Sequence, residues 1–303
     1  MKNKLLTFTL LTRRNVLLFL TNKTTVFFSL LANVIILSLY LLFLKTNYVT
    51  ILTDSLAGLE ISAKLIDGFV NSYLIAGILG TTCITVALNS LSVMVKDRED
   101  KVDLDYKSSP VSKTLVSLSY FLGALICTFI IGAVFLTLSL IVLAVTGSFY
   151  LSIFGVIKLY LILLLGCISS TTIMVIVASF FKSSSGLGAF GGIVSAVSGF
   201  LIGAYMPISQ FSDGIQIFSN TLPASHIAAL LRNELLNPVL NEINVALAGS
   251  DGGMFAITMR EVFAFKLNFF GNTINMDAMY IYVAVSSVVF GAISVFVFKK
   301  LNK

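Results

Sequence analysis

The stretch "VKDREDKVDLDYKSSPVSK", from Val95 to Lys113, is a charged interruption between two long apolar runs. It holds ten of the 34 charged residues of the chain, five of each sign. The apolar runs beside it, Phe69–Met94 and Leu115–Val145, are each long enough to cross a hydrocarbon layer of ~30 Å, which takes about 20 helical residues. Because charge is costly inside a bilayer, the pattern predicts two membrane spans joined by a loop in water.

The composition of the whole chain is that of an integral membrane protein. Hydrophobic residues make up 57% and charged residues 11%, with a mean hydropathy of +0.99, whereas charged residues make up about 25% of a soluble domain. We predict an all-α integral membrane protein in which residues 1–303 form a single transmembrane domain with six transmembrane helices. The apolar runs of spanning length are Thr25–Leu44, Phe69–Met94, Leu115–Val145, Tyr150–Phe180, Gly186–Met206 and Ala278–Phe298.

Residues 1–24, before the first span, mix apolar and basic side chains. In "NKLLTFTLLTRRNVLLFLTN", residues 3–22, Arg13 and Arg14 interrupt the apolar pattern. No small-residue cleavage site follows the first long run, as a signal peptide would require. We predict an N-terminal interfacial helix on the cytoplasmic face of the membrane; the alternative is a flexible tail.

The positions of lysine and arginine predict the orientation of the spans. With the N-terminus in the cytoplasm, the inner segments hold 14 of the 20 positive residues but five of the 14 acidic ones. This asymmetry follows the positive-inside rule. It places residues 95–113 and the short loop Phe181–Gly186 in the cytoplasm, and it places Lys45–Gly68 and Pro207–Asp277 outside.

The chain is therefore predicted to be a multi-pass protein of the plasma membrane with both termini in the cytoplasm. The net charge of +6 comes mainly from lysines and arginines in the segments predicted to be cytoplasmic, where they orient the spans. We therefore expect membrane lipids and no nucleic acid as partners. The excess of lysine over arginine, 15 to 5, is typical of an AT-rich bacterial genome. Amphipathic tyrosine rings settle at membrane boundaries, and eight tyrosines fall near the predicted outer one: Tyr40, Tyr48, Tyr73, Tyr150, Tyr160, Tyr205, Tyr280 and Tyr282.

The segment after the fifth span has the pattern of a broken, half-buried hairpin. Pro207 and Pro223 interrupt a stretch that is too polar to cross the bilayer and too apolar to be free in water. We predict a re-entrant hairpin over Ile208–Leu222, with Asp213 at its exposed tip or in a water-filled cavity, inside an outer segment that covers 207–277. Such backbone requires burial in protein or a water-filled cavity.

The spans lack the side chains that several classes of membrane protein need. Apart from Lys158 near one end, they contain no Asp, Glu, Lys, Arg or His, which disfavours ion-coupled transporters and intramembrane enzymes. The glycine-rich "GLGAFGG", Gly186–Gly192, has no lysine and follows no strand, so it is not a phosphate-binding loop. His226 is expected to be a packing or interfacial residue. We expect no catalysis and no cofactor in this chain.

The layout resembles that of ABC transporter permeases of the type-2 export class over nearly the whole chain. The telling segments are "KDRED", residues 96–100, followed by "SSPVSK", residues 108–113, and "LPASHIAALLRNELL", residues 222–236, which contains Pro223 and Arg232. The chain departs from the family in one respect. Many relatives carry a glycine soon after the acid–Arg–acid group, where this chain continues with "DKV", which leaves the geometry of the turn open.

The resemblance implies that residues 95–113 form a coupling loop that docks on a separate ABC ATPase, which would bind ATP and Mg. The loop after the fourth span and the N-terminal helix would dock with it. Exposed charge of both signs suits such an interface because it sets register and specificity. The alternative is an ordinary solvated loop. The expected ATPase contacts are Lys96, Asp97, Arg98, Glu99, Asp100, Asp103, Ser109, Pro110, Lys182 and Ser183.

Small and weakly polar residues recur at helical spacing in two spans. They predict one smooth face on the fifth span and one mildly polar face on the second. The resemblance implies that these two spans face a second permease and line the route of the substrate; the alternative is close packing within one subunit. The residues are Thr82, Thr85, Asn89 and Ser92 in the second span, and Gly188, Gly192, Ser195, Gly199 and Gly203 in the fifth.

The function expected from these features is that of a non-catalytic permease subunit in an ATP-driven exporter. It would pair with a second permease copy or homologue and with two ATPase subunits, and it would work by alternating access. An amphipathic substrate fits the uncharged spans, whether a lipid, a lipid-linked polymer, a drug or a peptide. The alternatives are a secondary transporter or channel that works without an ATPase, and a membrane enzyme or assembly factor.

Overall fold

The computed structural model describes residues 2–55, 61–247 and 251–301. Almost all of these residues are helical, and the strands present form one small antiparallel hairpin, β1 (Leu267–Phe269) and β2 (Asn272–Ile274). The helices are α1 (Lys2–Thr21), α2 (Lys23–Leu39), α3 (Lys45–Ser55), α4 (Ala63–Ser90), α5 (Ser92–Glu99), α6 (Val102–Ser108), α7 (Lys113–Val145), α8 (Ile153–Ser179), α9 (Ser184–Leu201), α10 (Asp213–Thr221), α11 (Pro223–Ala246), α12 (Met254–Val262) and α13 (Met276–Leu301).

The prediction of an all-α membrane protein is confirmed. Within the described residues, six helical segments are long and apolar enough to cross a membrane, and each overlaps one predicted run. The first is longer than predicted because a π-helical turn, Tyr40–Leu44, joins α2 to α3 without a break. The six segments are Lys23–Asp54, Ala63–Glu99, Lys113–Val145, Ile153–Ser179, Ser184–Leu201 and Met276–Val297.

Helix α4 is the centre of the molecule. In the most apolar 18-residue stretch of this span, 94% of the residues are buried, against 17–28% in the corresponding stretches of α7, α9 and α13. Small residues allow this close approach, because a Cβ at Gly77 would lie 2.7 Å from Cβ of Ala204, and one at Gly80 would lie 3.2 Å from Cβ of Ala228. The spans α2, α7, α8 and α9 therefore surround α4, and α13 packs outside them against α8 and α7.

Helix α1 covers most of the predicted interfacial segment and packs along α7. The two helices cross at Gly123, where an added Cβ would lie 3.0 Å from Cβ of Asn15. Asn15 also donates a hydrogen bond to Ser119 Oγ at 3.4 Å. The opposite face of α1 leaves leucines exposed, among them Leu6 at 61% and Leu10 at 53%. This helix is therefore anchored on one face and apolar on the other.

The chain reverses direction twice after α9. Helix α9 ends at Leu201, earlier than predicted, because Gly203 takes a left-handed φ of 72° and ends the helix. A short 3-10 turn and α10 follow, and α11 begins at Pro223, in the position where proline is best tolerated. Ile227 contacts Gly166, the midpoint of α8. The first turns of α11 thus pack against the middle of α8.

Candidate functional site

Asp97 joins three helices at one end of the bundle. Its carboxylate accepts two hydrogen bonds from the Arg14 guanidinium, at 2.7 and 2.8 Å, and one from the Tyr120 hydroxyl at 2.6 Å. The hydrogen bond to Asp97 raises the pKa of Arg14 above its ordinary value. Charge-assisted, bidentate pairs of this kind are the strong ones. The side chain of Asp97, 7% exposed, therefore ties α5 to α1 and to α7.

Arg98 caps the end of α8. One of its guanidinium nitrogens donates to the carbonyl oxygens of Ser179 and Phe181, both at 2.8 Å. The last carbonyls of a helix have no partner within the helix, and a basic side chain satisfies them while complementing the helix dipole. Arg98 thus ties α5 to the C-terminus of α8.

Glu99 caps the start of α9. Its carboxylate accepts hydrogen bonds from the backbone N–H of Ser184 at 2.9 Å and from the Ser184 hydroxyl at 2.5 Å. An acidic group is favourable at a helix N-terminus, where N–H groups are unpaired. Together Asp97, Arg98 and Glu99 form what we call the charged junction, in which consecutive residues bind α1, α8 and α9.

A left-handed residue follows the charged junction. Lys101 has a φ of 62° and links α5 to α6. Glycine adopts this conformation freely, whereas a residue with a Cβ is strained there. The turn therefore has the geometry that a glycine would favour, and Lys101 adopts it here.

The charged junction brings together three segments that are distant in sequence. They are α1, the 95–113 loop and the loop between α8 and α9. A cavity of about 520 Å³ lies among them, lined by residues that include Arg14, Lys96, Asp100 and Ser184. Of the residues expected to contact an ATPase, Lys96, Glu99, Asp100, Pro110 and Lys182 are exposed, Arg98, Asp103, Ser109 and Ser183 are half-buried, and Asp97 is buried.

The polar face of the second span is covered by neighbouring helices of the same chain. Thr82 and Thr85 are fully buried, and Thr82 Oγ1 accepts a hydrogen bond at 2.9 Å from Asn33 of α2. Asn89 faces α9, with its Oδ1 3.4 Å from the Cβ position of Gly191. Ser92 lies beyond a break at Leu91, in α5. In this conformation the four residues do not form one open surface.

The small-residue stripe of the fifth span divides into parts, which corrects the prediction of a single helix face. Gly203 lies beyond the end of α9. Ser195 and Gly199 are buried, and a Cβ at Gly199 would lie 2.3 Å from the ring of Tyr205. Gly188 and Gly192 have open space at their Cβ positions. Packing within the chain thus accounts for Gly199, while Gly188 and Gly192 form an open face.

The turn after α9 is fastened by tyrosines whose roles the sequence did not reveal. The hydroxyl of Tyr48 donates to the carbonyl of Tyr205 at 2.8 Å, and that of Tyr73 donates to the carbonyl of Gly203 at 2.5 Å. Their rings pack edge to face, 5.4 Å apart, beside Phe263. The sequence shows only that Tyr48 and Tyr73 lie near a span boundary. That position is equally typical of tyrosine rings at a membrane interface, so it does not identify their contacts with the turn.

An apolar pocket of about 250 Å³ lies beside the turn between α10 and α11. Its walls include Ile193 and Val197 of α9, Met174 of α8, and Pro223. Ile193 is 62% exposed and Val197 43% exposed, so the pocket adjoins the outward face of α9. Apolar walls of this kind accommodate hydrocarbon rather than polar groups.

Comparison with known proteins agrees with this architecture. The family model described as "ABC-2 family transporter protein" matches residues 25–298, which is most of the chain. A search among curated proteins finds no match. Because the family match runs from the first span to the last, the chain belongs to the ABC-2 transporter family and is a membrane permease subunit of an ABC transporter.

Proposed function

We propose that the chain is the permease subunit of an ATP-driven exporter and that the charged junction receives motion from a separate ATPase. The observation that carries this proposal is the set of bonds from Asp97, Arg98 and Glu99 to α1, α8 and α9. A displacement of α5 would pull on all three helices, because each bond is charge-assisted and short. A passive loop needs no such attachment.

The exposed side chains around the charged junction form the proposed docking surface. Lys96, Asp100 and Lys182 are exposed and carry both signs of charge, which suits recognition of a partner. The half-buried Asp103, and Ser109, Pro110 and Ser183 at the edges, would complete the contact. The buried Asp97 and the half-buried Arg98 would hold this surface in place from behind, and the exposed Glu99 would hold it from the side of α9. ATP and Mg would bind to the ATPase and not to this chain.

The proposed orientation places the charged junction and both termini in the cytoplasm of a bacterial cell, in a chain that spans the plasma membrane. The exposed leucines of α1 support an interfacial position for that helix. The contact between Ile227 and the midpoint of α8 supports a re-entrant hairpin. In this proposal α10 descends from Asp213, which is exposed, to a turn at Pro223, and α11 returns.

The proposed route for the substrate follows the open face of α9. Gly188 and Gly192 leave room for close approach of a second permease copy or homologue. The adjoining apolar pocket suits the hydrocarbon part of an amphipathic substrate, whether a lipid, a lipid-linked polymer, a drug or a peptide. Thr82, Thr85 and Asn89, which are covered in this conformation, would reach the route only if α9 moves away from α4.

Purification of the tagged full-length chain from membranes of its native host, in mild detergent, tests this proposal. We expect an ABC ATPase to co-purify with the chain. After reconstitution into liposomes, the coupling of ATP hydrolysis to transport should depend on the Lys96 and Asp100 side chains. A chain that purifies without an ATPase and still conducts ions or solutes would favour a channel or secondary transporter instead.

A further inference from the structure

A cavity of about 680 Å³ lies between α10, α11, α12 and the β1–β2 hairpin, well away from the charged junction. Its volume is in the range of small-molecule sites. The lining is rich in side-chain carboxamides, which hydrogen-bond hydroxyl groups as donors and as acceptors. The polar residues that matter for the argument are Gln216, Asn220, Asn233, Asn237, Arg260 and Lys266.

Asn220 has an unused hydrogen-bond acceptor in the wall of this cavity. The residue is 1% exposed, and its amide nitrogen donates to the carbonyl of Asn268 at 2.6 Å. Its Oδ1 atom is buried and has no partner among the described residues. Buried acceptors are nearly always paired, because an unpaired one loses its hydration without compensation. A ligand hydroxyl would supply the missing donor once a small movement of the wall opens this atom to the cavity.

The cavity also carries positive charge that the described residues do not neutralise. Arg260 Nε donates to Asn237 Oδ1 at 3.2 Å, which holds the guanidinium at the wall. In the described ranges no carboxylate forms an ion pair with Arg260 or with Lys266. Glu261 also lines the cavity and, like Lys266, is exposed, whereas Arg260 is half-buried. The lining therefore has two cations and one anion.

A third cation lies behind the wall. Arg232 is 1% exposed and donates to the carbonyls of Ala228 at 3.3 Å and Phe263 at 3.0 Å. Its remaining terminal nitrogen, Nη2, makes no hydrogen bond within the described part of the chain. A buried guanidinium without a carboxylate nearby strengthens the positive field, because the low dielectric of the interior screens it poorly.

We propose that this cavity binds a phosphate ester that carries free hydroxyl groups. Arg260 and Lys266 bind the phosphate, since guanidinium and ammonium groups pair well with it. Asn220 Oδ1 accepts a hydrogen bond from a ligand hydroxyl. The site goes beyond the proposed transport function, and its occupancy requires neither ATP nor an ATPase.

The surroundings favour a lipid headgroup over a free phosphate ester as the source. The cavity includes Met276, the first residue of α13, so it lies at the end of the sixth span. Three large apolar side chains nearby are exposed, namely Met254 at 62%, Ile257 at 50% and Phe270 at 68%. Such side chains would contact the acyl chains of a lipid whose headgroup enters the cavity.

The test measures binding of phosphatidylglycerol to the purified full-length chain in phosphatidylcholine nanodiscs, with glycerol phosphate as a soluble competitor. We expect the double variant Arg260→Gln/Lys266→Gln to weaken binding by at least about tenfold, because two charged contacts to the phosphate are lost. Lys64→Gln, an exposed lysine outside the lining, is the matched control and should bind as the wild type does. Melting temperatures confirm that the variants fold.

Two further measurements test the hydroxyl contact at Asn220 and distinguish a lipid headgroup from a free phosphate ester. Phosphatidylmethanol keeps the phosphate but has no headgroup hydroxyl, so it should bind more weakly than phosphatidylglycerol if Asn220 Oδ1 accepts a hydroxyl. Competition by glycerol phosphate would show that the free ester suffices, and its absence would identify the lipid as the source. Binding that is undetectable for both ligands, or unchanged in the folded double variant, would overturn the proposal.

Discussion

Arg14 and Asp97, 83 residues apart in sequence, form a two-pronged ion pair with N–O distances of 2.7 and 2.8 Å. The pair joins α1 to α5, the charged helix that follows α4. The Asp97 side chain is 7% exposed and that of Arg14 34% exposed, so the carboxylate depends on its partners for solvation. This relationship makes the N-terminal helix part of the same mechanical unit as the loop.

Replacing Arg14 should therefore weaken the attachment of α1. Arg14→Gln leaves a buried carboxylate with one remaining donor, Tyr120, and we expect a loss of about 1–3 kcal/mol in stability, less than for a fully buried pair. The melting temperature and protease sensitivity of residues 2–21 report it. Arg13→Gln, at the exposed neighbouring position, is the control. Equal behaviour of the two variants would contradict the assigned role of the pair.

Charge reversal at different positions distinguishes docking on an ATPase from the attachment of α5 to its neighbouring helices. Lys96→Glu/Asp100→Lys alters exposed residues and should leave the melting temperature unchanged while uncoupling ATP hydrolysis from transport. A close charge pair across an interface costs on the order of 2–5 kcal/mol when broken if it is desolvated, and far less at a rim. Reversal of Asp97, Arg98 and Glu99 should instead lower stability as well. Normal coupling in the first variant would show that the loop is a passive linker.

Lys101 provides a test of backbone strain. Because its φ is 62°, Lys101→Gly should stabilise the chain by about 1 kcal/mol and preserve transport, whereas Lys101→Val should destabilise it. Lys96→Gly, within α5, is the matched control and should lose about 1 kcal/mol. Thermal unfolding of the three variants checks the order. A destabilised Lys101→Gly would rule out the left-handed turn.

The two kinds of glycine in α9 should respond differently to added bulk. Gly199→Leu meets the Tyr205 ring and should impair folding, at a cost of about 1–3 kcal/mol or more. Gly192→Leu has open space, so it should leave folding intact and block transport if this face lines the route or meets a partner permease. Val134→Leu, at an exposed position of α7 outside both the pocket and the open face of α9, controls for bulk. Normal transport by Gly192→Leu would mean that this face contacts only lipid.

The proposed topology rests on charge asymmetry and can be tested by labelling. In a variant without the native cysteines, Asp251→Cys should react with an impermeant thiol reagent in intact cells, while Lys101→Cys should react only after the cells are broken. Labelling at position 101 but not at 251 would invert the orientation.

The spans could be predicted because the bilayer imposes a length and composition that a sequence displays directly. Their ends depended on local conformation, such as the left-handed Gly203 that ends α9 and the π-helical turn that lengthens the first span. The position of the charged junction could be predicted from the sequence, but its contacts with α1, α8 and α9 could not. A sequence shows that Asp97, Arg98 and Glu99 are charged, and it does not show that Arg14, Ser179 and Ser184 satisfy them.

The hydrogen bond from Asn33 that covers Thr82 could not be predicted either, because a sequence does not show which helices pack together. Helical spacing identifies a polar face, but the neighbour that occupies this face is fixed by tertiary packing. Arg232 and the tyrosines around Phe263 likewise form a cluster only after residues far apart in sequence have been brought together.

Cross-linking between this chain and its ATPase tests the central claim most directly. In membranes of the native host, Asp100→Cys treated with a short amine- and thiol-reactive reagent should form an adduct that mass spectrometry identifies as an ATPase with a nucleotide-binding P-loop. Asn47→Cys, exposed on α3 at the opposite side of the proposed membrane, should form none. Failure of Asp100→Cys to capture an ATPase, or equal capture from Asn47→Cys, would contradict the account.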